Sequence, residues 1–273
     1  QMKLDHLRQK NVFTIKERNC LDLFQEDFTG GLMNKERELP GWNYTPDVPL
    51  KVSPFFTWPL RPKNMLIWIV QRWFGIAENA ILLFVCLLTW TWFQPSLETT
   101  KSLEFGWVAG IWLRNMILMI IVAGGLHWFF HSFKLQGTKL KYDCRELSKK
   151  GRQFNFGNQV KDNIFWTLCS GVGFWTLYEV LIFWAMGNGW APVLSFSSNP
   201  LWFLLLFLLT PVWISLHFYW VHRALHWDPL YKLAHALHHR NVNVGPWSGL
   251  SMHPVEHLMF FSSILIHFLI PAH

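Results

Sequence analysis

Charge is what this sequence has least of. Asp, Glu, Lys and Arg make up 15% of its 273 residues, against about 25% in an ordinary soluble domain. Cysteine is also sparse. Cys20, Cys86, Cys144 and Cys169 are widely scattered, and no two form a CxxC pair. That spacing indicates neither a disulfide framework nor a thiolate metal site, and leaves the cysteines as expected packing residues. The N-terminal QMKLDHLRQK has no apolar run behind it, so no secretory signal peptide is visible. There is no internal repeat and no low-complexity tract. The net charge is +7, yet no nucleic-acid recognition motif accompanies it. No Ser/His/Asp or Cys/His arrangement for nucleophilic catalysis stands out.

Apolar and aromatic residues fill the space that charge leaves: 51% and 17% of the chain, with 18 tryptophans. Tryptophan favours the membrane–water boundary, where its ring is apolar and its N–H stays wet. Spanning a bilayer core takes about 20 helical residues. Stretches of that kind are predicted at about 73–93, 105–130, 164–186 and 201–221, with a further one at 258–273. Pro211 in the fourth is expected to bend that helix without breaking it. The fold class expected is all-α: a polytopic membrane helical bundle with cytoplasmic histidine-rich helices.

Lysine and arginine alternate between the connections. Residues 1–64 hold ten and 131–163 hold eight, whereas 94–104 holds only Lys101 and 187–199 holds none. The positive-inside rule then puts the N-terminus, the 131–163 connection and the segment after Val221 on the cytoplasmic side. Residues 1–64, with the amphipathic VFTIKERNCLDLF, read as a cytoplasmic or interfacial N-terminal region, and 65–273 as the membrane domain. Glu78, Arg114 and Glu179 fall in or near spans, where charge is costly and often functional.

Histidine is concentrated where the fourth span ends. His222 and His226 form an HxxxH box; His235, His238 and His239 form an HxxHH box. Residues four apart share a helix face, so the first pair can grip one metal ion, and 235, 238 and 239 form a second face. The nine residues from His226 to His235 would place the two faces half a turn out of phase on one continuous helix. Asp228-Pro229 removes that conflict, Asp228 as a cap and Pro229 as the start of a new helix. Neutral imidazole ligates Fe, Zn and Cu, so a transition-metal site is expected.

A b-type haem would need single histidines deep in separate spans. A zinc hydrolase would want a carboxylate base beside few ligands, as in HExxH, and these boxes carry Arg-Ala-Leu and Ala-Leu-His there. Other histidines stand nearby. His217 is expected to pack. His253 and His257 are open as ligands, as hydrogen-bond donors to ligands or as supports of the following segment. Glu256 is a candidate to orient a ligand imidazole, and His127 and His131 are further candidates at the end of the second span.

At HRALH, HALHH and the tract HRNVNVGPWSGLSMHPVEH, the sequence resembles the fatty acid hydroxylase/sterol desaturase superfamily, most of all its bacterial sterol desaturase members. The likeness covers roughly residues 105–273. It implies a helical membrane domain with a histidine-ligated non-haem diiron centre on the cytoplasmic face. It also implies O2 as co-substrate, an external electron-transfer protein and a lipid substrate of sterol or fatty-acyl type, hydroxylated or desaturated. Under it His222, His226, His235, His238 and His239 are metal ligands. The family pattern continues with two more spans and another HxxHH box, so the sequence is expected to be a piece of a longer protein. The alternatives to an oxygenase are an inactive membrane scaffold and a zinc-binding membrane protein.

Overall fold

The computed structural model describes residues 53–73, 76–137, 143 and 145–272. Cys20, Cys144, most of the region 1–64 and the side chain of Glu78 lie outside the described residues. The chain divides into two compact units, one containing Trp128–Glu146 and the other Val52–His127 with Leu147–His273. In the first, Lys134 pairs with Glu146 at 2.9 Å and Arg145 holds both carboxylate oxygens of Asp143.

The described residues are helical and form no strand. Helix α1 is Pro62–Trp73, α2 Ile76–Trp92, α3 Phe105–Ser132, α4 Gln159–Gly187 and α5 Pro200–Leu225. Helix α6 covers 228–239 and contains a π-helical turn at Tyr231–His235. Helix α7 is Pro254–Phe268 and tightens to a 3-10 helix from Ser262. Among the described residues three helices are long and apolar enough to cross a membrane: α3, α4 and α5, of 28, 29 and 26 residues. At about 1.5 Å per residue each exceeds the roughly 30 Å of a hydrocarbon core. They coincide with the stretches predicted at 105–130, 164–186 and 201–221.

The predicted stretch at 73–93 lies partly outside the described residues and otherwise falls on α2, of 17 residues, in which Leu83–Trp92 is a shorter apolar helix. The one at 258–273 falls on α7, likewise one of the shorter apolar helices. The cysteines depart from expectation as well: Cys86 and Cys169 are free thiols on exposed surface rather than packing residues.

Helices α3 and α4 supply the core. Ile111, Ala123, Val172, Ile182 and Ala185 are buried along them. At the end of α4 a Cβ on Gly187 would stand 2.7 Å from Leu97 O and Thr100 Oγ1, so only glycine allows the 97–101 connection to close on the helix. Thr100, wholly buried, donates from Oγ1 to Phe183 O at 3.0 Å. Charge is buried here too. Arg114 of α3 pairs with Glu179 of α4, and Asn115 Nδ2 donates to the same carboxylate at 2.9 Å.

Helix α5 presents its apolar surface outward and is held along one line of side chains. Trp202 Nε1 donates to Pro271 O and Trp213 Nε1 to Ser263 O, each at 2.9 Å. His217 Nε2 meets Ser262 Oγ at 3.0 Å, the packing role expected of it. Positions 202, 213 and 217 share one face, and that face holds α7. Pro211 sits within the helix, which continues unbroken to Leu225. Tyr178 Oη donates to Leu258 O at 2.7 Å, so α7 is also fastened to α4.

Candidate metal centre

Two helix ends bring the histidines together. His222 lies in the last turn of α5 and His226 is its C-cap. The chain then turns through Trp227, whose φ and ψ of −66° and 128° are extended. The break therefore falls one residue before the expected cap. Trp227 is the N-cap of α6 and makes no side-chain cap, while Asp228 occupies the first turn and pairs with Lys232 at 2.6 Å. A carboxylate there is favourable against the helix dipole, and Pro229 follows it at the start of the helix, where its missing N–H costs nothing.

The turn folds α6 back onto α5. One nitrogen from each of His222, His226, His235 and His239 lies within 4.8 Å of the others. The Nε2 atoms of His222 and His226 are 3.1 Å apart, and those of His235 and His239 are 2.9 Å apart. Across the two helices the ring centroids of His222 and His235 are 4.7 Å apart and those of His226 and His239 are 5.0 Å apart. Two imidazole nitrogens each about 2.1 Å from a shared ion stand about 3.0 Å apart when cis on an octahedron and about 3.4 Å apart on a tetrahedron. The donor set fits a first-row divalent ion after a small inward movement of the rings.

Electrostatics favour the same reading. Burial, reinforced by the neighbouring imidazoles, lowers His235 and His239 to about 4. Both are therefore neutral near pH 7, the form that ligates. His235 is fully buried, and its Nδ1 lies 2.9 Å from Glu256 Oε1. A proton on Nδ1, donated to the carboxylate, leaves the Nε2 lone pair for the cluster. Burial raises the Glu256 carboxyl to about 7, and its Oε2 has no hydrogen-bond partner.

The remaining predicted residues fall elsewhere. His238 is outside the group of four. Its ring stacks on His235 at 5.8 Å, and Nδ1 faces Ser251 O at 3.4 Å. A residue three positions on lies about 60° to one side of His235 and a residue four positions on about 40° to the other, which separates His238 from His239. His253 caps α7, its Nδ1 accepting from Val255 N at 3.2 Å. His257 is fully buried, with Nδ1 2.9 Å from Ser170 Oγ and Nε2 3.1 Å from Leu250 O. Both ring nitrogens are thus taken up by protein, the role of a support. His127 and His131 are not members of the group of four.

One aromatic went unpredicted. The Tyr231 ring lies 5.8, 5.9 and 5.7 Å from those of His226, His235 and His239 and walls one side of the cluster. Its spacing of four from His235 was the available signal.

Residues 203–273 match the fatty acid hydroxylase family, a stretch that contains all four clustered histidines. A protein of Arabidopsis thaliana named as a Delta(7)-sterol-C5(6)-desaturase is 30% identical over 171 residues, 59% of this chain and 58% of its own length. The Delta(7)-sterol-C5(6)-desaturase of Nicotiana tabacum is 25% identical over 171 residues, covering 59% and 60%. The erg3C Delta(7)-sterol 5(6)-desaturase of Aspergillus fumigatus is 23% identical over 177 residues, covering 61% and 52%. The chain thus spans little more than half the length of these relatives. No solved structure matches it. Over its histidine-box region the chain is thus similar to the fatty acid hydroxylase family, and over a longer stretch to sterol desaturases.

Proposed function

We propose that this chain carries part of the metal centre of a membrane-bound non-haem diiron oxidoreductase, which uses O2 and an external electron-transfer protein to hydroxylate or desaturate a lipid. The desaturase relatives favour a sterol-type substrate. The observation that carries the reading is the convergence of four imidazole nitrogens within 4.8 Å beside the end of an apolar helix. The bound metal would supply the activation of O2 needed to attack an unactivated C–H bond, chemistry beyond any side chain.

The chain's own contribution is geometric and protonic. His222 and His226 from α5, with His235 and His239 from α6, would hold the ion, and His238 stands next to them as a further candidate. Glu256 keeps the His235 proton on Nδ1 so that Nε2 faces the cluster. Tyr231 shields one side from water. A site at the end of α5 lets a lipid approach from the bilayer while electrons arrive from solution. The positive-inside rule supports a cytoplasmic location for that side and for the N-terminus, with 1–64 assigned in this proposal to a cytoplasmic or interfacial region and 65–273 to the membrane domain.

Four imidazoles could instead close around one structural zinc ion, and a single experiment separates the two. The protein is purified in detergent, its iron and zinc are quantified, and products are followed by mass spectrometry with sterol and fatty-acyl lipids under a supplied reductant. Iron with an oxidised lipid product, both lost in His235→Ala, is the expected result. Zinc alone, or metal content unchanged in His235→Ala, would overturn the proposal.

A further inference from the structure

The second histidine box ends at His239, and the next residues are gripped by the first turn of a helix some 80 positions earlier in the chain. Asp162, in the first turn of α4, has no exposed surface. One carboxylate oxygen takes the guanidinium of Arg240 in an ion pair, and the other accepts from Asn155 N at 2.9 Å. Arg240 also donates from its second terminal nitrogen to Gln153 O at 3.0 Å. Gln159, one turn before, is 3% exposed. Its Nε2 donates to Asn243 O at 2.6 Å and to Asn241 Oδ1 at 3.2 Å, and its Oε1 accepts from Ser148 N at 3.0 Å.

These contacts are too many and too directional for an incidental surface pair. Arg240 is the C-cap of the short helix that carries His239, so whatever fixes Arg240 fixes the end of that helix. Beyond this, α6 meets Glu256 through His235 and Ser251 O through His238, one partner each. A planar guanidinium engaged by several acceptors holds an orientation that a lysine ammonium cannot. The buried Asp162 carboxylate is met on one oxygen by Arg240 and on the other by Asn155 N.

We infer that Asp162, Arg240 and Gln159 form a positioning clamp, which sets the azimuth of α6 and so the direction in which His235 and His239 present their nitrogens. The inference rests on the metal-site reading above and concerns residues outside the ligand set. The clamp acts through backbone placement, so its loss changes how the imidazoles meet a metal before it changes whether the protein folds.

The test uses the full chain in detergent, stripped of metal and titrated with Co2+, in Asp162→Asn, Arg240→Lys and the milder Gln159→Ala, with His239→Ala as reference. Weaker Co2+ binding by about tenfold or more, in the range seen when partners of ligands are removed, together with an altered d–d spectrum, is expected in the first two variants. A smaller change of the same sign is expected in Gln159→Ala, which keeps the proposal testable should Asp162→Asn fold poorly. Amide hydrogen exchange in metal-free protein supplies a readout independent of metal. It should accelerate at 235–241 while α4 beyond its first turns stays protected. If the variants melt lower yet bind Co2+ with the parent's affinity and spectrum, the clamp is only structural and the inference falls. If exchange at 235–241 does not change, it falls as well. Co2+ binding that survives in His239→Ala would overturn the metal reading instead, with the exchange data still judging the clamp.

Discussion

At the level of single residues, Glu256 has the most to explain. It is 3% exposed, carries one unpartnered oxygen and touches the cluster through His235 alone. Burying a carboxyl in such a setting is costly unless it serves an ionic or hydrogen-bonded partner. In the proposed site its service would be to hold the His235 proton on the nitrogen that faces away from the other imidazoles. Replacing Glu256 by Gln keeps the shape and allows either an oxygen or an NH2 group to face Nδ1, so the tautomer is no longer imposed. Glu256→Gln should weaken Co2+ or Fe2+ binding by about 10- to 100-fold, measured by competition with a chromophoric chelator, while the melting temperature of the metal-free protein changes little. Unchanged affinity in that variant would remove Glu256 from the site. His238 is the counter-case: a box histidine whose position three along, not four, carries it out of the group of four and against Ser251.

Among the elements, the pairing of α6 with α7 makes the metal-free protein sensitive to acid. His235, His239 and His257 each lie at about 4, below the ordinary 6.5 of histidine. For each, the unfolded chain takes a proton first as the pH falls, so stability is complete above about pH 6.5, is lost down to about pH 4 and is flat below. Glu256, raised to about 7 from 4.5, acts in the opposite sense, since its folded form binds a proton first between pH 7 and 4.5. Three groups against one leave a net loss on acidification. Chelator-treated protein should therefore melt at progressively lower temperature from pH 7 to pH 4.5, and a flat profile across that window would contradict the burial of these imidazoles. This scale also shows what was legible beforehand. His222, His226, His235 and His239 follow from four-residue spacing and from an Asp-Pro break, both local signals. The N-cap shifts to Trp227, and His257 turns toward Ser170 and Leu250, because packing partners decide those details. The Asp162–Arg240 pair joins residues 78 positions apart, a distance at which no periodicity speaks.

For the molecule as a whole, the three long helices were readable from apolar length, and the charges within them were readable only as a cost. Arg114 and Glu179 show how that cost is met: each is nearly buried, at 8% and 17% exposure of the side chain, and each has further partners. Arg114 donates to Asn115 Oδ1 at 2.9 Å and to Phe93 O at 3.3 Å, while Asn115 returns a bond to Glu179. The network joins α3 to α4, the helix whose first turn reaches the second histidine box. Removing one partner leaves an uncompensated buried charge, which costs about 3–5 kcal/mol, whereas replacing both by apolar residues of similar volume is often close to neutral. Glu179→Leu should therefore destabilise the detergent-solubilised protein strongly, and Arg114→Met combined with Glu179→Leu should recover most of that loss, both read as melting temperature. Metal affinity per folded molecule should be unchanged in the double variant, because the pair and the histidines share no contact. A double variant as unstable as the single one would mean that the network does more than neutralise its own charges. A double variant that folds but has lost its metal would instead tie this pair to the geometry of the site.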